Sequence, residues 1–193
     1  MARIPGVPKE KAGLFGRLVY GWSERQFGVV AEPYAVLRHH RRLSLSVLIG
    51  SAFNQWASKA LPKRVRELAE YRTATVVGCS WCVDFGAMVQ RLDGLDVDRL
   101  QHIDEYATSP LYSPEERLAI TYADAMTAQP MTVTDEQVAE LEATFGRAGL
   151  VELTNAIALE NQRGRFNHAL GITDQGFDAA CKIRQAGASA SRG

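Results

Sequence analysis

At 193 residues, with 46% apolar and 23% charged side chains, the chain has the composition of a soluble globular protein, long enough to bury a core without disulfide staples. Lysine plus arginine balances aspartate plus glutamate at 22 each, so no global field draws it to nucleic acid or to an anionic membrane. The N-terminus has no apolar core of signal-peptide length, and the most apolar stretch, residues 43–53, is broken by Ser44, Ser46, Gly50 and Ser51 and too short to span a bilayer; the expectation is a cytoplasmic protein.

Residues 1–12 carry two prolines and three basic side chains and read as a poorly ordered arm. Leu14, Leu18, Val19 and Trp22 fall at helical spacing, predicting a first helix to about Phe27 that Gly28 ends. Pro33 suits the first turn of a second helix. His39-His40-Arg41-Arg42 reads as a solvated basic turn. A third helix is expected over residues 44–58, with Val47, Leu48, Ala52 and Trp56 on one side. Pro62 opens a fourth, striped by Val65, Leu68, Ala69 and Val76. A fifth carries Cys82, Phe85, Val89 and Leu92 and ends by Asp93-Gly94. Asp96 or Asp98 can cap a helix holding Leu100, Ile103 and Tyr106.

Ser113-Pro114-Glu115-Glu116 combines an N-cap, a proline at the first helical position and a capping-box glutamate. Thr134 with Gln137 repeats that pattern before Val138, Leu141 and Phe145. Residues 146–149 read as a turn, and a helix follows from Leu150 with Leu153 and Ile157. A last helix from about Asp174 would carry Phe177, Ala180 and Cys181. Residues 186–193 read as a flexible tail, which leaves one helical domain over 13–185. No segment alternates with period two over a useful length, and no Asn-Gly or Asp-Gly hairpin joins β-branched runs, so the fold class is all-α. A weak internal repeat appears at an offset of 85, pairing Glu67 with Glu152, Cys82 with Asn167 and Gly86 with Gly171.

Residues 67–86 hold the chemistry. Cys79 and Cys82 stand three apart, Gly78 precedes them, and Glu67 lies twelve positions before the first. Apolar periodicity on both sides reads as helix, break at Gly78, new helix. The pair then occupies the first turn of the second helix, where free N–H groups and the helix dipole favour a thiolate. The spacing lets the two sulfurs close a disulfide with little strain. In a reducing compartment such a pair means redox chemistry, incidental core thiols, or half of a metal site. Zinc would need a second ligand pair, and neither Cys181 nor His39, His40, His102 and His168 supplies one at ligand spacing beyond the adjacent His39-His40. No metal is therefore expected.

Glu67 is the candidate base, acting through water; its plain alternative is a surface carboxylate paired with Lys63 or Arg64. Asp84 is expected in solvent. Trp81 walls the pocket or simply packs in the core. His168 is the one histidine able to visit the site from another segment, and its bland reading is structural. Arg163 and Arg165 could hold an anion or sit at a solvated helix end. Helix geometry favours Cys79 as the attacking thiol, as the residue nearer the helix end and the more exposed.

Glu67, Cys79 and Cys82 also match by type and spacing the pattern of the carboxymuconolactone decarboxylase superfamily, and within it the alkylhydroperoxidase D-like branch: Glu, eleven residues, Cys, two residues, Cys, three residues, His. The fourth position is Gly86 here. The helix-rich lead-in from about Leu18 and the later Asn161-Gln-Arg-Gly-Arg-Phe-Asn-His-Ala-Leu-Gly171 resemble that superfamily too. The resemblance implies a thiol-dependent oxidoreductase in which Cys82 meets a hydroperoxide and Cys79 resolves it as a disulfide. A thiol or dithiol reductant would reset the pair, no cofactor is needed, and the chain would be a homo-oligomer. Two other readings stay open: a lactone-acid decarboxylase like the superfamily's namesake, and a non-catalytic helical oligomer whose disulfide is structural or sensory.

Overall fold

The computed structural model describes residues 2–177. Seven α-helices make the body: α1 Gly13–Phe27, α2 Glu32–Leu37, α3 Arg41–Ala57, α4 Lys63–Val77, α5 Ser80–Leu92, α6 Pro114–Thr127 and α7 Asp135–Ala169. Short 3₁₀ turns lie at Lys9–Lys11 and Asp98–Glu105, and the described residues contain no strand. The expected all-α class holds.

α4 is the axis. It buries Val65, Leu68, Ala69, Thr73 and Ala74 on several faces at once, and three clusters pack around it. On one side Val65 and Ala69 meet Ala119, Tyr122 and Ala123 of α6 and Leu141, Leu153 and Ile157 of α7. On another, Leu68 meets Leu100, Ile103, Tyr112 and Ile120. At its C-terminal end Ala74 joins Ala31 and Val36, the two cysteines, Trp81, Met88, Ile172 and Phe177. α7 runs parallel to α4: Arg66 pairs with Glu152 at 3.2 Å near one end, and Val77 packs on Gly164 near the other.

Local chemistry sets most boundaries. Gly28 takes a left-handed φ of 83° and ends α1. Ser113 and Glu116 complete a reciprocal capping box at the start of α6, with Pro114 at the first position. Thr134 Oγ1 accepts from Gln137 N at 3.3 Å and caps α7. Several expectations move. α3 starts at Arg41, before Ser44, because His40 caps it: Nδ1 accepts from Leu43 N at 3.1 Å. The basic cluster is therefore split, with His39 against Pro5 O and the two arginines inside the helix. The segment holding Leu100 and Ile103 is 3₁₀, and neither Asp96 nor Asp98 caps it; Asp96 Oδ1 accepts from Asp98 N in a local turn instead. The turn expected over residues 146–149 is a kink at Gly146, φ 69° and ψ 169°, which parts α7 into two helical segments; the second resumes at once rather than at Leu150.

The expected stripes of α1 and α3 are only partly covered. Leu14, Leu18 and Trp22 of α1 and Ala52 and Trp56 of α3 are exposed, while Val19, Val47 and Leu48 are half-buried. Leu45, Ile49 and Phe53, outside the expected stripe, are exposed as well, and Ser44 is the one buried residue of α3. The first twelve residues, expected as an arm, carry contacts to the body: Arg3 N donates to Leu170 O at 2.7 Å, and Val7 N to Ala35 O at 2.9 Å. The expected last helix lies mostly outside the described residues, Cys181 with it. Residues 172–176 before it are not helical. No helix among the described residues is long and apolar enough to cross a membrane.

Candidate dithiol site

The site begins at the break between α4 and α5. Gly78 adopts φ 76°, ψ 31°, its N–H bonds Thr75 O, and Cys79 N–H bonds Ala74 O. These two bonds make a Schellman end for α4, and the left-handed residue must be free of a Cβ penalty, which glycine is. Cys79 is at once the residue closing that motif and the N-cap of α5: its Sγ accepts from Cys82 N at 3.2 Å. Cys82 follows in the first turn. The two sulfurs are bonded, with Cα atoms 5.3 Å apart. The placement of both cysteines at a helix start, as the spacing implied, is what the structure contains.

Accessibility runs against the helix-end argument. Cys79 is 2% exposed and Cys82 is 7% exposed, so the second cysteine is the more exposed of two buried ones. Cys79 is covered because the end of α7 lies on it: a Cβ built at Gly164 would sit 3.5 Å from Cys79 Cβ and 2.9 Å from Val77 Cγ1. One turn on, Asn167 points its Nδ2 at both sulfurs, 3.5 Å from each. His168, the next residue, is exposed and lines a separate hollow of about 320 Å³ with Arg165 and Val76. The lone signal for Asn167 in the sequence was the 85-residue offset that aligned it with Cys82.

The outer wall is aromatic. Trp81 stacks on Phe85 at 4.8 Å, and Phe177 meets both rings edge-on. Residues 171–177 are tied across the start of α5. Asp84, expected in solvent, accepts from Gln175 N at 3.0 Å and Phe177 N at 3.1 Å. Gln175 also accepts from Trp81 Nε1 at 2.8 Å and donates to Val30 O at 3.1 Å. Trp81 thus packs in the core, the plainer of its two readings, and its indole N–H anchors residue 175.

Glu67 sits elsewhere. It is 7% exposed, so it is no ordinary surface carboxylate, although its Oε1 does pair with Lys63 at 3.5 Å. Its Oε2 is buried without a hydrogen-bond partner. Burial pushes its pKa up to about 7; the Lys63 charge opposes that, and Asp93 adds to it. Its backbone carbonyl receives Gln90 Nε2 at 3.5 Å. Gln90 lies two turns beyond Cys82 on α5, about 12 Å along the axis. The structure therefore sets Glu67 against the far half of α5 rather than against the sulfurs. Gly86 stands between them, one turn from each of Cys82 and Gln90, with Tyr71 Cδ2 3.4 Å from where its Cβ would be.

A second group of carboxylates, missed by sequence reasoning, lies where α4 meets α7. Glu160 is 8% exposed and burial raises its pKa to about 7, against the pull of Arg163. Glu70 is raised too, by burial first, with Arg163 and Arg66 opposing. Arg163 Nη1 lies 3.5 Å from Glu160 Oε2, so it serves this interior group rather than a free helix end.

A model of the carboxymuconolactone decarboxylase family matches residues 46–125, which include α4, α5 and the cysteine pair. The chain is also 35% identical over 186 residues to the uncharacterized protein YnjA of Escherichia coli, covering 95% of this chain and 94% of that one. It belongs to the carboxymuconolactone decarboxylase family. Among solved structures it is similar to the debrominase Bmp8, with a TM-score of 0.79 at 17% identity over 92% of this chain and 95% of that one. It is similar as well to a peroxidase-related protein of Ralstonia eutropha with an alkylhydroperoxidase AhpD core. There the TM-score is 0.78 at 16% identity over 91% and 94% of the two chains. These identities bear on the fold, which this family member shares along almost its full length with both.

Proposed function

We propose that the protein is a thiol-dependent oxidoreductase that reduces hydroperoxides through a Cys79–Cys82 dithiol/disulfide cycle. The bonded sulfurs at the N-terminus of α5, within an apolar cluster, carry this reading. The peroxidase-related neighbour supports it. In the cycle the Cys82 thiolate attacks one peroxide oxygen and the O–O bond breaks. The alcohol leaves with a proton, and Cys82 becomes a sulfenic acid. Cys79 then attacks Cys82 Sγ, water leaves, and the disulfide closes. An external dithiol returns the two electrons. Its thiolate attacks Cys82, the more exposed cysteine, and Cys79 departs as a thiolate held by the Cys82 N–H and the helix dipole.

Glu67, whose carboxylate pairs with Lys63, is assigned no step in this cycle. The uncovered apolar faces of α1 and α3 support self-association. A 17-residue helix with a single buried residue gains little from its own chain.

A second reading has its own observation. The aromatic wall of Trp81, Phe85 and Phe177 suits a flat halogenated ring, and the neighbour Bmp8 is a debrominase, also solved with 2,3,4-tribromopyrrole bound. The same dithiol would then replace an aryl halogen by hydrogen, releasing halide and a proton as the disulfide forms. Two assays decide. Under a dithiol reductant, peroxide loss that disappears in Cys82→Ser supports the first reading. Halide release without peroxide loss supports the second. Retention of either activity in Cys82→Ser refutes the cycle.

A further inference from the structure

Both sulfurs share one side-chain neighbour that the cycle above does not use. Asn167 is 3% exposed, and its amide nitrogen carries two hydrogens, enough to serve both sulfur acceptors at 3.5 Å. A disulfide sulfur is a weak, neutral acceptor. A thiolate is charged, and hydrogen bonds to an ionised partner are about twice as strong as neutral ones. An amide buried against a disulfide is thus poorly compensated for its desolvation, and a leucine would pack there at less cost. The contact becomes strong only when the pair is reduced and one sulfur ionises.

The surroundings offer little else to that charge. Position 86, one turn after Cys82, has no side chain, and the Glu67 carboxylate pairs with Lys63. The cluster around the pair is apolar. The titratable or charged side chains on the elements packed about it include Tyr34 of α2, Glu67, Glu70 and Arg72 of α4, Asp84 and Arg91 of α5, and Glu160, Arg163, Arg165 and His168 of α7. Arg72 pairs with Asp104 and Asp124, and Arg165 and His168 line the separate hollow beside Val76. Asp84 is engaged by Gln175 and Phe177, while Glu70, Glu160 and Arg163 interact with one another. Gly164 is what brings Asn167 in: a Cβ there would force α7 away from Val77 and Cys79.

We propose that Asn167 is the thiolate-stabilising residue of the Cys79–Cys82 dithiol, donating from α7 the hydrogen bonds that position 86 has no side chain to give. The assignment rests on the redox reading of the pair but not on a peroxide being the oxidant. Reduction adds two electrons and two protons to the disulfide; one thiol then ionises, and Asn167 holds the resulting thiolate without being consumed. It thereby favours the reduced form, so its loss shifts exchange toward the disulfide.

The test uses the full chain in a Cys181→Ser background, so that only the pair titrates. Asn167→Leu keeps the heavy-atom count and branching and removes the donor, and Asn167→Asp keeps the shape and reverses the polarity. Each is expected to shift the pH at which the thiols alkylate upward by about one unit. Each should also shift the exchange constant with glutathione about tenfold toward the disulfide, about 30 mV for a two-electron couple. Alkylation and exchange unchanged within twofold in a variant that melts cooperatively would overturn the assignment. In the unsubstituted protein, the side-chain amide signals of Asn167 in a nitrogen-15 spectrum should move on reduction, and signals that stay put would overturn it too. None of these readouts involves a peroxide, so a chain that consumes none leaves them intact.

Discussion

A glycine at position 86 separates two groups that a longer side chain would join. Cys82 is one turn behind it, Gln90 is one turn ahead, and Gln90 meets Glu67. A β-carbon there finds Tyr71 at ordinary contact distance, so an imidazole has room to begin. Gly86→His is expected to raise the peroxide rate at neutral pH about tenfold, below the 10²–10⁴ typical of a well-placed acid–base group. Glu67→Gln should change the rate less than twofold in the parent and more in the histidine background; equal effects in both would separate Glu67 from position 86. The helix dipole and the Asn167 amide both lower the parent's thiol pKa from its ordinary value. Its rate should therefore climb with pH up to that lowered pKa, and a flat profile would contradict it. The cysteine pair is legible in the sequence because spacing and a preceding glycine are local signals. Asn167 is not, because its partners lie 85 and 88 residues away and only packing brings them together.

Elements carry the site as much as residues do. Gly164→Ala should push α7 off the end of α4 and destabilise the protein by about 1–3 kcal/mol, as over-packing does. Because it also withdraws Asn167, it should raise the thiol pKa, which thermal melting and alkylation would report separately. An unchanged melting point would mean that the helices yield without strain. Helix positions follow local chemistry closely: the capping box at Ser113, the glycine ends at Gly28 and Gly78, and the proline starts at Pro33 and Pro114 are where the sequence places them. Helix environments do not follow it. The stripe of α3 reads the same whether it faces a core or solvent, and periodicity alone could not show that Phe53 and Trp56 are 65% and 69% exposed.

At the scale of the molecule, the carboxylates between α4 and α7 tie stability to pH. Glu160 has a folded pKa raised to about 7 by burial, so its contribution is fully present below its ordinary value of 4.5 and is lost as pH rises through about 7. Glu160→Gln should remove that dependence. The variant is expected to match the parent near pH 4.5 and exceed it at pH 8 by about 1–3 kcal/mol, measured by denaturant unfolding. A variant less stable at pH 8 would show that the Arg163 pairing outweighs desolvation. The apolar faces of α1 and α3 make a second statement at this scale: the protein should sediment as a homo-oligomer. Phe53→Glu should dissociate it and lower its melting point, and a monomeric parent would refute the assignment of these faces to self-association.

The tie made by Gln175 has a consequence for which reductants suit the protein. A pair lying beneath a fastened stretch of chain is open to small molecules before it is open to large ones. A small dithiol can reset it directly, whereas a protein-sized reductant must first displace the tie. Gln175→Ala should therefore speed reduction by a protein dithiol more than reduction by a small one. Equal acceleration of both would show that the tie does not screen by size.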